Sequence, residues 1–293
     1  MKPSCRLASL AALGIPLLLS GCSLLPTTRK LPVPKAPATV QTITPQQLVG
    51  RLNDRWSAIN TLTAKVEFHA TKSKDGIATD YPSVEGHILI RKPADLRVLG
   101  QYFGVSVFDM ASDSQNFTLS IPHNSVVIHG SNSVKKKSKN TWENLRPGFF
   151  LDAMLVRGLE SDDLYAVTAD TFTVEDAAKK KLLSVPEYIL SIMRRNGDSE
   201  QLTPVRVVYF HRDDLQAYQQ DIYDKEGNLE TQVFYAGYQN FEGSLYPSVV
   251  TIKRPIDEIQ IILTVDDVHE NQKLEDNQFV VQIPEGSKVQ SLE

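Results

Sequence analysis

The spacing of apolar and polar positions changes once along the chain. Leu48, Leu52, Trp56 and Ile59 recur at intervals of three or four residues, with Arg51, Asn53, Asp54 and Arg55 mostly elsewhere. Such spacing gathers the apolar side chains into one stripe and predicts an amphipathic helix over residues 45–59 that packs on a sheet. Its start is marked in sequence: Thr44 can cap, Pro45 fits the first turn, and Gln47 completes a capping box.

Beyond that helix the period falls to two. Val66, Phe68 and Ala70 alternate with Lys65, Glu67 and His69, and Phe117, Leu119 and Ile121 alternate with Thr118 and Ser120. Further strand patterns cover Gly86 to Arg91, Asp95 to Leu99, Val105 to Ala111, Ser125 to His129, Tyr165 to Thr173 and Val205 to Arg212. Others cover Tyr218 to Asp224, Glu230 to Tyr238, Pro247 to Arg254, Ile259 to Asp266 and Phe279 to Ile283, so about 11 strands or more are expected. Asp75-Gly76, Asn196-Gly197 and Glu226-Gly227-Asn228 supply turn residues that tolerate positive φ. Short links between successive strands predict an antiparallel meander, curled or closed, in a mainly β protein. Nothing alternates strand with helix, which argues against an α/β enzyme fold.

One interruption separates the strand ending near Gly130 from that beginning near Tyr165. Lys135, Lys136, Lys137 and Lys139 form a basic loop, and Pro147 opens a short helix containing Phe149, Phe150, Leu151, Met154 and Leu155. The apolar face of an inserted helix needs a partner, and the concave side of the sheet is the nearest large apolar surface. Phe150, Leu151, Met154 and Leu155 are therefore predicted to cover an apolar cavity together with Leu48, Leu52, Trp56 and Ile59.

The amino-terminal segment reads as a secretory signal over residues 1–21, with Lys2 and Arg6 before the apolar run Leu7 to Leu19. This run is too short to cross a bilayer, which takes about 20 apolar residues. Leu19-Ser20-Gly21-Cys22 resembles the lipobox of bacterial lipoproteins. The resemblance implies cleavage before Cys22, diacylglycerol on its thiol and acylation of the new amino terminus. Residues 22–44 hold four prolines and no acid, and read as an extended tether reaching up to roughly 60 Å from the bilayer. A single folded domain is expected over residues 45–293.

Cysteine and charge narrow the function further. With Cys5 removed and Cys22 acylated, the mature chain has no thiol for a disulfide, for zinc or for nucleophilic catalysis. The chain's 31 Lys and Arg, less Lys2 and Arg6, leave 29 against 35 Asp and Glu. That acidic balance argues against a nucleic-acid partner.

Catalytic patterns are scarce. His69, His87, His123, His129, His211 and His269 show no metal-ligand spacing, and no serine-hydrolase elbow or phosphate-binding glycine loop occurs. Asp162-Asp163, Asp213-Asp214 and Asp266-Asp267 are adjacent pairs, which a strand points to opposite faces, and they are expected to be solvated turn residues. The apolar segment Leu99-Gly100-Gln101-Tyr102-Phe103-Gly104-Val105 lies between two strand patterns and places Tyr102 and Phe103 at a hairpin tip. These rings either fold back onto the protein or stand out as a prong that touches acyl chains or a membrane.

Four segments together resemble the LolA/LolB-like superfamily of periplasmic lipoprotein carriers and outer-membrane receptors. They are the opening helix with Leu62-Thr63-Ala64-Lys65-Val66-Glu67-Phe68, then Gly86 to Pro93 with Leu96-Arg97, then Val107 to Asp113, and the tail Leu274 to Gly286. The resemblance implies an incomplete antiparallel half-barrel whose apolar interior, covered by helices, accommodates acyl chains without a catalytic residue or cofactor. It also implies that Tyr102 and Phe103 fall where the receptor's protruding apolar hairpin lies. Ser23, following the lipidated cysteine in place of aspartate, implies sorting to the outer membrane. The stretch from Ser131 to Gln201 has no clear counterpart in the family.

The expectation is thus a non-enzymatic, lipid-anchored outer-membrane protein facing the periplasm. It binds lipid or the acyl moiety of lipoproteins, with a periplasmic carrier as a partner, and aids their transfer or insertion. The alternative is an assembly or scaffold lipoprotein that grips a protein partner in an envelope complex. A hydrolase would require polar groups converging inside the barrel.

Overall fold

The computed structural model describes residues 40–133, 146–176, 181–195, 197 and 200–292. The leader, Cys22, most of the tether and the lysine run 135–139 lie outside the described residues.

The first element, α1 (Pro45–Ala58), starts where its capping box places it. Thr44 Oγ1 accepts from the Gln47 amide at 3.2 Å, and Gln47 Oε1 accepts from the Thr44 amide at 2.8 Å. Two amides that no helical carbonyl can reach are thereby satisfied. Leu48, Val49 and Leu52 are buried, so α1 lies on its apolar stripe.

The chain then enters β1 (Thr61–Lys74), and the short β2 (Ile77–Asp80) folds back on the end of β1. From there β3 (Val84–Arg91), β4 (Asp95–Tyr102), β5 (Val105–Ser112), β6 (Asn116–Ile121) and β7 (Val126–Ser131) step outward as an antiparallel meander. A link containing α2 (Gly148–Met154) leads to the far edge, β8 (Asp163–Asp176). β9 (Lys181–Arg195), β10 (Leu202–His211), β11 (Ala217–Tyr223), β12 (Leu229–Phe241), β13 (Ser244–Arg254) and β14 (Ile259–Glu270) return strand by strand. β14 pairs with β1, and β15 (Lys288–Leu292) runs parallel to β7 at the other edge.

The product is one open sheet of 15 strands among the described residues, in the order β15-β7-β6-β5-β4-β3-β1-β14-β13-β12-β11-β10-β9-β8, with β2 beside β1. It is larger than the half-barrel of about 11 strands that the sequence predicts. β2, β9 and β15 carry no clean alternation. Phe279 to Ile283, which does alternate, forms no strand. Asp276–Phe279 is a 3-10 turn, the Arg91 guanidinium lies 4.7 Å from the Phe279 ring, and Val281 is buried. Phe279 and Val281 pack there without backbone pairing, while Ile283 is half exposed.

Alternation along the strands buries one face. Leu62, Ala64, Val66 and Phe68 of β1 join Ile88, Ile90, Val98, Leu190, Val208, Val233, Ile252 and Leu263 in one core, beneath α1 and α2. Each of these side chains except that of Ala64 contributes about 1.5–3 kcal/mol when fully buried. No helix among the described residues is long and apolar enough to cross a membrane.

Register also sorts the turns into two sets. The turns after β1, β4, β6, β11 and β13 lie at one end of the strands, and those after β3, β10, β12 and β14 at the other.

Candidate functional site

A cavity of about 360 Å³ lies beneath α1, at the strand end that carries the turns after β10 and β12. Leu48, Leu52, Trp56 and Ile59 from the predicted stripe line it, as do Met154 and Leu155 at the end of α2. Phe150 and Leu151 do not line it. They are buried deeper, where Phe150 stacks on Phe149 at 4.2 Å and meets the edge of Phe68 at 6.1 Å.

The sheet supplies the opposite wall: Phe210 of β10, Leu215, Ala217 of β11, Tyr235 and Tyr238 of β12, and Tyr246 of β13. Sequence reading missed these six, because residues on different strands share a cavity only through strand register, which no local pattern marks.

Three of the sheet's polar side chains hold α2 in place. Gln220 Nε2 donates to the Asp152 carbonyl at 2.6 Å, Tyr235 to Ala153 at 3.0 Å and Tyr246 to Met154 at 2.5 Å. The last carbonyls of a helix have no intrahelical donor, so a seven-residue helix buried in a core needs such partners. Gln220 has no exposed surface, and its place among apolar neighbours follows from this role. The following segment is tied to α1, where Asn53 Oδ1 accepts from the Leu159 amide at 2.9 Å.

The wall carries no charge. Burial pushes the phenol pKa values of Tyr235, Tyr238 and Tyr246 up from the ordinary range, so their hydroxyls stay neutral donors. Tyr238 satisfies its hydroxyl on the Ala217 carbonyl at 2.7 Å. Charge appears at the rim, where Arg51 and Arg55 of α1 face the cavity and Arg55 forms a two-pronged ion pair with Glu270. At the end of α1, Lys92 stands 4.1 Å from the Trp56 ring and donates to the Trp56 carbonyl. Burial holds its ammonium pKa below the ordinary value. An apolar interior with a charged rim suits a guest that is mostly hydrocarbon.

The predicted hairpin forms with Phe103 and Gly104 at its centre, both at positive φ (46° and 77°), as a tight two-residue turn requires. Tyr102 and Phe103 do not fold back: they are 51% and 90% exposed, and Val105 beside them is 69% exposed. By register this hairpin lies at the end of the strands opposite the cavity.

Other sequence-level candidates resolve differently. Asp163 is not a solvated turn residue. Its side chain is buried and accepts from Arg194 at 2.6 Å, because the first residue of β8 pairs with that arginine's strand. Asp213 and Asp214 accept nearby backbone amides in a turn, and Asp266 and Asp267 face Lys65 and His269. No group of three or more His, Cys, Asp or Glu among the described residues could hold a metal ion.

No family model and no curated protein sequence matches the chain. Solved structures do. A DUF1329 family protein from Desulfovibrio piger matches with a TM-score of 0.50 at 14% identity, covering 80% of this chain and 95% of that one. A LolA superfamily protein from Nitrosomonas europaea matches with a TM-score of 0.50 at 12% identity, covering 82% of this chain and 99% of that one. A putative outer membrane lipoprotein-sorting protein domain from Vibrio parahaemolyticus gives 0.48 at 14% identity, covering 80% and 94%. The matches at a TM-score of 0.50 show the fold: the chain has a LolA/LolB-like fold.

Proposed function

We propose that this protein is a lipoprotein, anchored through Cys22 in the outer membrane and facing the periplasm. It receives lipid or the acyl moiety of other lipoproteins in the cavity beneath α1 and α2 and helps pass it into the membrane, without catalysis. The observation that carries this reading is the cavity, with a mostly apolar interior beneath two helices and two arginines at its rim, on a LolA/LolB-like sheet. An acyl chain has no hydrogen-bonding groups, and each methylene buried there contributes about 0.8 kcal/mol. Tyr102 and Phe103 supply the membrane contact, and a periplasmic carrier is the partner that delivers cargo.

Native mass spectrometry of residues 40–293, purified without a tag, tests the cavity. Bound lipid that exchanges with a labelled fatty acid is expected, and exchange is lost when Leu52→Trp fills the space. A chain that holds and exchanges no lipid sinks the carrier reading. The outer edge of β8, which has no strand beside it among the described residues and leaves Leu164, Tyr165 and Val174 exposed, favours a second role, gripping a protein partner by strand addition. Crosslinks from β8 to one envelope protein would favour it.

A further inference from the structure

Tight turns ordinarily carry polar residues and glycine. Three turns of this sheet instead hold out large apolar side chains. Ile77, after the Asp75-Gly76 turn, is 71% exposed; Phe103 stands at the β4–β5 turn; and Ile256, in the 3-10 turn between β13 and β14, is 49% exposed.

These turns are neighbours. The strands β5-β4-β3-β1-β14-β13 are consecutive in the sheet, and all three turns lie at the same end. The Ser73 amide donates to the Glu258 carbonyl at 2.8 Å, which ties the β1–β2 hairpin to the β13–β14 turn. Flanking turns at that end are polar, with His123 and Asn124 on one side and Lys225 and Glu226 on the other. At the opposite end, Leu245 is exposed beside a turn, but it lines the cavity.

We propose that these three turns form one bilayer-docking edge, with Ile77, Phe103 and Ile256 entering the lipid interface together and the cavity directed away from the membrane. The inference rests on the reading of Tyr102 and Phe103 as a membrane contact and extends it to two further hairpins and a defined orientation. Separate convex prongs suit a fluid surface, which closes around each of them. A rigid protein partner would have to offer a matching pit for each. The charges nearby are balanced: Lys72, Lys74, Asp75 and Asp80 on the β1–β2 hairpin, none from Tyr102 to Ser106, and Lys253 and Arg254 against Asp257 and Glu258 about Ile256, with Arg254 paired to Asp257. Docking therefore draws on burial of apolar side chains in zwitterionic lipid, without needing anionic head groups. In that orientation the cavity is open to a carrier while the edge is engaged.

Fluorescence depth quenching in the full chain tests the edge. Ile77→Trp, Phe103→Trp, Ile256→Trp and, at the opposite end, Lys273→Trp are bound to phosphatidylcholine vesicles with brominated acyl chains. Each is read against the parent chain, whose Trp56 and Trp142 set the background. Quenching of the added signal at positions 77, 103 and 256, none at 273, and no change in about 0.5 M salt are expected. Adding Ile77→Asp to Ile256→Trp should weaken quenching at 256 at least about threefold, since burial of one such side chain is worth about tenfold in partition. Quenching at 103 alone overturns the edge and leaves the single hairpin standing. No quenching at any position overturns both, and equal quenching at 273 overturns the orientation.

Discussion

The Tyr246 hydroxyl donates to the Met154 carbonyl, joining β13 to the last turn of α2 between two buried residues. Since α2 leaves that carbonyl without a helical donor, Tyr246→Phe strands a buried acceptor. The variant should lose about 1–3 kcal/mol, seen as a lower urea midpoint with an unchanged slope. The same change at Tyr235, which serves Ala153, should cost a similar amount.

Glycine spacing in the central strands sets a sharper constraint. A methyl group at Gly86 would come within 1.9 Å of the Leu99 carbonyl oxygen and 2.7 Å of the Phe68 ring, and backbone in the middle of the sheet cannot yield. Gly86→Ala is expected to cost about 3 kcal/mol or more. Gly50 on α1 has no atom within 4 Å of an added methyl, so Gly50→Ala should stabilise by about 0.5–1 kcal/mol. Chemical denaturation of both should give opposite signs, and the same sign for both would refute the packing argument.

Two arginine pairs of similar geometry should differ in weight. Arg254 and Asp257 are both buried, with Arg254 Nε donating to Asp257 at 2.9 Å and Nη1 to Thr231 at 3.0 Å. Asp257→Asn leaves the buried guanidinium only the part-exposed Glu230 at 3.3 Å as a counter-charge, for an expected loss of about 3 kcal/mol. Arg55 is 45% exposed against Glu270, so Glu270→Gln should cost no more than about 1 kcal/mol and should matter less as salt rises. Thermal unfolding at low and high ionic strength separates the two.

How far the sequence reaches depends on the residue. Thr44 and Gln47 announced α1 because a capping box is local, and Phe103-Gly104 announced a hairpin because a tight turn is local too. β9 was not legible: Tyr188, Ile189, Leu190, Ile192 and Met193 are apolar on both faces, and Pro186 interrupts them, so no period survives. β15 owes its existence to parallel pairing with β7, more than 150 residues away, which no local pattern encodes. The helix half of the cavity could be named because a stripe at helical spacing has one destination. Its sheet half could not: Tyr235, Tyr238 and Tyr246 meet only through the register of β12 with β13.

The outer face of the sheet gives a pH dependence of its own. Tyr209 on β10 donates to Asp221 at 3.3 Å, and Gln219 and Gln232 donate to the other oxygen of that buried carboxylate at 2.9 and 3.0 Å. Burial, followed by the charge of Asp221, pushes the Tyr209 phenol from its ordinary 10 up to about 12. A phenol whose pKa is raised by folding favours the native state while it is neutral. Its contribution is therefore complete below about pH 10 and lost as pH rises from 10 towards 12. Urea midpoints taken at pH 9, 10, 11 and 12 should fall across that window in the wild-type chain. Tyr209→Phe has no proton to lose there, so its midpoint should start lower and fall less steeply. The two curves should converge near pH 12. If they stay parallel, Tyr209 ionises alike in both states, and Asp221 exerts no hold on it.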